Sequence, residues 1–322
     1  MDNLDFAIYR YLSPRGEARF WAGRRVIDPT IPAREIAERV GVSENGVRAR
    51  LRGLAEQGFL RGNAVGVNPS LFGVRVFVAE LPIKKPTDSE RVLRDLALVE
   101  GVIFARDTLD EGDRNVRVHF ISSSDTMTSR RASLVRRLSP SGQLREPQPY
   151  WIPSCERELS PLDWRLLQAL YRTPDATMAD IARAVGVSLK TTVRRCHELA
   201  ESTAFWWTHG PDCEEYPLAL VRLDLGETSQ REAVAEKVLR EAREWIPVAP
   251  DGFGLEPAKF ATVVAGLVPA DAPAVLERTV KKLVDIPGVQ SVHRTFALGS
   301  MSYPAWFTDR IAEHVPGRAG SG

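Results

Sequence analysis

Residues 34–60 read REIAERVGVSENGVRARLRGLAEQGFL, and residues 179–205 read ADIARAVGVSLKTTVRRCHELAESTAF. The two stretches align at an offset of 145 with no gap. Ile36-Ala37 matches Ile181-Ala182, Val40 matches Val185, and Gly41-Val42-Ser43 matches Gly186-Val187-Ser188. Arg50 matches Arg195, and Leu54-Ala55 matches Leu199-Ala200. So many identities at one offset mark a tandem duplication. The segment SPSGQLREPQPYWIPS, with four prolines and few helix formers, places the boundary between the copies near residues 140–158.

Each stretch reads as two helices joined by a tight turn. Gly41 and Gly186 end the earlier helix, because glycine takes the left-handed cap conformation cheaply. Ser43 and Ser188 cap the later one. In the second copy, Thr177 and Asp180 predict a capped helix reaching Val185. Each copy also opens with a helical pattern, LDFAIYRYL (4–12) and LDWRLLQAL (162–170), with apolar residues at helical spacing. Ser160 and Asp163 form a capping-box pattern there. Helix, Gly-Val-Ser turn, helix is a helix-turn-helix pattern. After the third helix, Gly58 to Val67 predicts a helix stop and a short hairpin, hence a winged form.

Along that third helix Val47, Leu51 and Leu54 share one face, Arg48 and Arg52 fall off it, and Arg50 sits at its edge. Residues 1–62 hold 11 Arg against 8 Asp+Glu, a local excess of +3. A recognition helix points its N-terminal residues at base edges. Ser43, Glu44, Asn45 and Arg48 take those places in the first copy. Asn pairs bidentately with adenine and Arg with guanine. Arg50, Arg52 and Arg61 are placed for phosphate, which positions without specifying. In the second copy Ser188, Lys190, Thr191, Arg194 and Arg195 correspond. Its wing region carries Trp206, Trp207, Asp212, Glu214 and Glu215, apolar and acidic where phosphate is expected.

The remainder of each copy alternates strand and helix. The first copy predicts strands at 74–81, 102–109 and 116–122, helices at 89–99 and 125–138, and a last strand near 150–152. The second predicts strands at 216–225, 252–256, 259–268 and 288–298, with helices at 229–245 and 272–285. The order βαββαβ is the ferredoxin-like plan. The fold class is therefore α+β, two tandem copies of a winged helix-turn-helix plus a ferredoxin-like domain. The expected boundaries are 1–66 and 158–212 for the helix-turn-helix units, 67–157 and 213–315 for the ferredoxin-like units, and 316–322 for a flexible tail.

A winged helix-turn-helix followed by βαββαβ resembles the Lrp/AsnC (feast/famine) transcription regulators. The resemblance is carried by Leu4-Asp5 and Leu162-Asp163, the two Ile-Ala pairs and the Gly-Val-Ser turns. It continues in the spacing Ser43, Val47, Arg50, Leu54, and ends in Ile286-Pro287-Gly288-Val289. It covers roughly residues 1–310. It implies a cytoplasmic regulator that binds double-stranded DNA, whose ferredoxin-like (RAM-type) domains pair by their sheets. It also implies a small effector, often an amino acid. This chain departs in being a fused tandem and in carrying about 13 extra residues between the first two helices of its first copy. The family's glycine-and-acid turn survives only loosely, as Glu111-Gly112-Asp113. The expected assembly is an intrachain pseudo-dimer able to build a larger homo-oligomer.

Other chemistries find less support. There are 43 Lys+Arg against 42 Asp+Glu and 43% hydrophobic residues, which fits an ordinary globular chain. The opening MDNLDFAIYR has no cationic flank before an apolar run, which predicts no secretory leader. The longest apolar stretch, near 260–268, is too short to span a bilayer. Cys196, His197, His209 and Cys213 offer a loose metal pattern, but Cys196 aligns with the core position Leu51. No metal and no cofactor are expected. Arg130, Arg131, Arg136 and Arg137 form a basic stripe that reads as a solvated face. No Gly-rich phosphate loop, GxSxG or HExxH occurs, so no enzyme is expected. The alternative is a siroheme decarboxylase-like tetrapyrrole enzyme on the same plan. Enzymes of that kind carry a Tyr-Arg-Arg-Glu-His-type segment, and VIFARDTLDEGDRNVRVHF (102–120) retains only Arg106 and His119 in that region.

Overall fold

A computed structural model describes residues 33–56, 63–110, 113–150, 154–155, 157–209, 218–225, 254–255, 260–264 and 272–315, with Leu4, Asp5, Ile8 and Lys237. In the first copy α1 (Ala33–Val40) and α2 (Glu44–Glu56) form the helix-turn-helix. Gly41 lies at φ 74°, and the amides of Gly41 and Val42 both reach the Ala37 carbonyl, at 3.0 and 3.2 Å. The second copy repeats the device. Helices α5 (Pro161–Arg172), α6 (Met178–Val185) and α7 (Leu189–Glu201) follow one another. Capping boxes at Ser160/Asp163 and Thr177/Asp180 start the first two, and Gly186 at φ 77° ends α6. For numbering, α3 (Pro86–Asp95) and α4 (Asp125–Leu138) belong to the first copy, α8 (Ala272–Val284) and α9 (Ala305–His314) to the second.

The strands are β1 (Asn63–Val67), β2 (Arg75–Ile83), β3 (Val102–Asp110), β4 (Asp113–Ser122), β5 (Gln148–Tyr150), β6 (Phe205–His209), β7 (Leu218–Leu225), β8 (Gly254–Leu255), β9 (Phe260–Val264) and β10 (Val289–Ser302). Eight of them form one sheet in the order β5-β2-β4-β3-β10-β7-β9-β8. Each half of that list is the ferredoxin-like order 4-1-3-2. The halves join where β3 pairs antiparallel with β10, with Arg106 opposite Ser300 and Asp107 opposite Gly299. β10 is 14 residues long, which lets it serve β7 with its first part and β3 with its second. The pseudo-dimer of ferredoxin-like halves is thus made within one chain. The helix expected at 229–245 lies outside the described residues apart from the helical Lys237.

The expected hairpin after the third helix takes another form. Among the described residues β1 pairs with β6 of the other copy, with Val65 opposite Trp207 and Val67 opposite Phe205. The Trp206-Trp207 run is therefore strand in a ribbon between copies rather than a phosphate-facing tip. A strand with one unsatisfied edge gains a full ladder by meeting its own duplicate. Asn68, fully buried, extends the link by donating to the Thr203 carbonyl at 2.8 Å.

Among the described residues three packed cores result. Ile8, Ile36, Ala37 and Val47 make a small one in the first helix-turn-helix. Phe77, Leu81, Val118 and Phe120 belong to the first ferredoxin-like unit, where β2 and β4 alternate inward residues against α3 and α4. The third contains Leu166, Leu167, Ile181 and Leu199 of the second helix-turn-helix, Val65 and Val67 of β1, and Phe307 and Ile311 of α9. Helix α9 was not anticipated from the sequence. It follows β10, and the Phe72 ring lies between Trp164 of α5 (5.7 Å, tilted) and Trp306 of α9 (5.3 Å, edge-on). Among the described residues no helix is long and apolar enough to cross a membrane.

The basic stripe on α4 is not uniform. Arg136 and Arg137 are exposed, but Arg131 is buried and donates to the carbonyls of Glu100 (2.9 Å) and Ile121 (2.6 Å). Arg131 thus ties α4 to the β3 and β4 ends instead of joining a solvated face.

Candidate nucleic-acid interface

The N-terminal turn of α2 is presented outward. Its cap is Ser43, whose Oγ accepts from the Gly46 amide at 3.1 Å. Ser43, Asn45, Arg48, Ala49 and Arg52 are exposed, and Glu44 is half-buried. The inward positions are closed by Val47 and Leu54. Arg48 rests on Glu44 one turn back, at 2.5 Å, with both side chains well solvated. Such a surface pair holds its partners weakly, so the guanidinium is available to an incoming anion. Arg61 lies outside the described residues.

Arg50 is arranged differently. Its guanidinium meets Asp5 of the opening helix at 2.6 Å, and only about a third of the Arg50 side chain is exposed. It braces the third helix against the first.

In the second copy Ser188, Leu189, Lys190 and Arg194 are exposed and Thr191 is half-buried. The Thr191 amide donates to Ser188 Oγ at 3.1 Å, which completes the cap of α7. Arg195 repeats the Arg50 arrangement, 3.8 Å from Asp163 and 3.4 Å from Glu198. Glu198 also takes Arg157 at 3.0 Å and Arg194. Hydrogen bonds from Arg157 and Arg194 hold its carboxyl below the usual range. The place of Glu198 is taken by Gly53 in the first copy, so the cations of α7 are more heavily engaged than those of α2.

The structure thus brings Ser43, Glu44, Asn45 and Arg48 to the N-terminal end of α2 with Arg52 one turn further along, and Ser188, Lys190, Thr191 and Arg194 to the matching part of α7. Asp5 and Asp163, the partners of Arg50 and Arg195, were missed as such. The signal was present: an Asp in the first helix and an Arg in the third recur together in both copies.

The remaining candidates fall elsewhere. Cys196 is fully buried, and burial, with help from Asp163, pushes its thiol up to about 12. Among the described residues no cluster of His, Cys, Asp or Glu fits a metal. Cys213 lies outside them. Arg106 and His119 do share a sheet face, where Arg106 pairs with Arg117 and Phe104 with His119. The His119 ring sits 5.4 Å from those of Phe104 and Tyr150. Burial, then Arg117 and Arg106, push it down to about 3, so the ring is neutral near pH 7.

Comparison with known proteins follows the same lines. A winged helix-turn-helix DNA-binding family profile matches residues 28–61 and 159–202, one match in each copy. The HTH-type transcriptional regulator LrpA of Pyrococcus horikoshii is 33% identical over 101 residues, covering 27% of this chain and 72% of that protein. The HTH-type transcriptional regulator Ptr1 of Methanocaldococcus jannaschii is 27% identical over 113 residues, covering 35% and 68%. Among solved structures, the siroheme decarboxylase NirDL with an iron-uroporphyrin III analogue aligns over 97% of this chain and 99% of that one, with 11% identity and a TM-score of 0.47. On the duplicated helix-turn-helix and the likeness to these two regulators, the chain belongs to the Lrp/AsnC family of DNA-binding transcription regulators.

Proposed function

We propose that the chain recognises a specific duplex sequence through α2 and α7 together and that a small effector modulates this binding. The observation that carries the reading is the outward, capped end of each third helix, one bearing Asn45 and Arg48, the other Lys190 and Arg194. Asn45 and Arg48 read base edges, and Arg52 and Lys190 hold phosphate. Arg50 and Arg195 act as positioning residues, since each already has a carboxylate within its own copy.

Because the two helices differ in sequence, the chain alone favours an asymmetric site. If chains assemble first copy to first copy, a palindromic site returns, with half-sites about 34 Å apart or a multiple of that.

The test is selection of genomic fragments by the full chain, followed by affinity measurement on the selected duplex. Arg48→Ala should weaken the selected duplex more than a random one. Equal retention of both duplexes by wild type and variant would overturn the assignment of α2. The elution volume of the chain with and without the duplex reports the assembly.

A further inference from the structure

One concave groove of about 840 Å³ lies on the first ferredoxin-like unit, within the size range of small-molecule sites. Four segments converge on it: the end of β2, the start of β4, the end of α4 and the loop 141–145. Its lining includes Lys84, Arg114, Arg136 and Arg145, against a single carboxylate, Asp113.

Two of the cations are held from behind. Arg114 meets both oxygens of Asp107 through Nε, at 3.0 and 3.1 Å. Arg145 donates to Glu80 at 2.7 Å, and its amide donates to the Glu80 carbonyl at 2.9 Å. A guanidinium fixed in this way loses little further freedom when its other N–H groups take a ligand. The other two, Lys84 and Arg136, are exposed and carry no ion pair among the described residues. Asp107 and Glu80 balance two of the four charges and Asp113 a third, so the groove offers two fixed forks and two unpaired cations at a modest positive excess.

We infer that this groove binds a compact polyanion of metabolite size, carrying two or more phosphate or carboxylate charges. A free amino acid is disfavoured, because its one carboxylate can engage only one of the two unpaired cations while its ammonium would face the other. A nucleobase is disfavoured as well, since no aromatic side chain lines the groove. The inference deepens the effector part of the function proposed above, and it replaces the amino acid with a multiply charged anion.

Calorimetric titration of the full chain, without DNA, tests it with inorganic pyrophosphate, citrate and leucine as probes. Pyrophosphate or citrate should bind once per chain, with an affinity that falls as salt rises. Whichever binds identifies the source of the charge. The double variant Lys84→Gln/Arg136→Gln changes only exposed side chains, so it should fold normally and bind at least about tenfold more weakly. Arg48→Ala should leave this binding unchanged. Leucine binding alone, no binding of either polyanion at millimolar concentration, or equal affinity in the double variant would each overturn the groove assignment. Repeating the duplex measurement with the bound polyanion present then tests regulation separately. A groove that binds without altering duplex affinity keeps the site and removes its role as an effector site.

Discussion

The Arg50 guanidinium lies 2.6 Å from the Asp5 carboxylate, and Arg195 lies 3.8 Å from Asp163 at the corresponding place in the second copy. A cation on the third helix thus faces an Asp near the start of its copy in both cases, through a hydrogen bond in the first copy and a longer ionic contact in the second. The exposed neighbours of each pair, Arg48 and Arg52 in one copy and Arg194 in the other, are the residues proposed to meet DNA.

Arg50→Ala and Asp5→Ala should each cost about 0.5–1 kcal/mol, a modest value because the pair is partly solvated. A double-mutant cycle by denaturant unfolding should show the two effects overlapping. Arg48→Ala should leave stability within about 0.5 kcal/mol and instead lower affinity for the selected duplex, while Arg52→Ala should lower the salt slope by about one. Additive losses in the cycle would mean that the brace carries no energy.

His119 gives a pH prediction with a definite sign. Its folded value is pushed down to about 3, from an ordinary 6.5. Between those values the unfolded chain binds the extra proton, so stability falls as pH drops below about 6.5, by up to about 1.4 kcal/mol per unit. Above 6.5 the ring is neutral in both states and contributes no pH dependence. His119→Phe, beside Phe104 and Tyr150, should flatten the profile from pH 6.5 downward. An unchanged slope in thermal melts across that window would contradict a half-buried ring held neutral.

Gly101 combines φ 86° with a space that a Cβ would fill, 2.4 Å from Arg131 Nε. Gly101→Ala should therefore cost about 2–4 kcal/mol, through backbone strain and the displacement of Arg131 from two carbonyls. Denaturant unfolding measures it. A loss below about 1 kcal/mol would show that Arg131 moves aside freely.

Ile311 of α9 is 1% exposed in the core shared with the second helix-turn-helix. Ile311→Ala should cost about 2–5 kcal/mol there. Hydrogen exchange should quicken in α5 and α7 and stay unchanged in α2, whose core is separate. Equal quickening in both units would mean that the two helix-turn-helix cores unfold as one.

Much of this organisation was readable in the sequence because it is local. The glycine-serine turns, the capping boxes at Ser160 and Thr177, and the helix at 125–138 all depend on residues within a few positions of one another. The alternation of β2 and β4 was readable for the same reason. What escaped was long-range. Nothing in Val65 or Trp207 says that they pair with each other, and the wing was expected as a local hairpin because a hairpin is the nearest partner a strand can find. Arg131 looked like one more surface cation, since its two carbonyl acceptors come from segments 10 and 31 residues away. The second part of β10, beyond 298, and helix α9 went unseen for a related reason. Their partners, β3 and α5, belong to a different unit from the strand that leads into them.

By itself the sequence determined that the chain is a duplicated helix-turn-helix and βαββαβ protein with arginines on its leading third helix. Turn chemistry, caps and apolar period suffice for that. Only the tertiary structure decided which arginines remain outward, which strands join the two copies, and where four cations gather around one groove. Those outcomes depend on which distant carboxylates and strand edges come within a few ångströms, and that is a property of packing rather than of spacing along the chain.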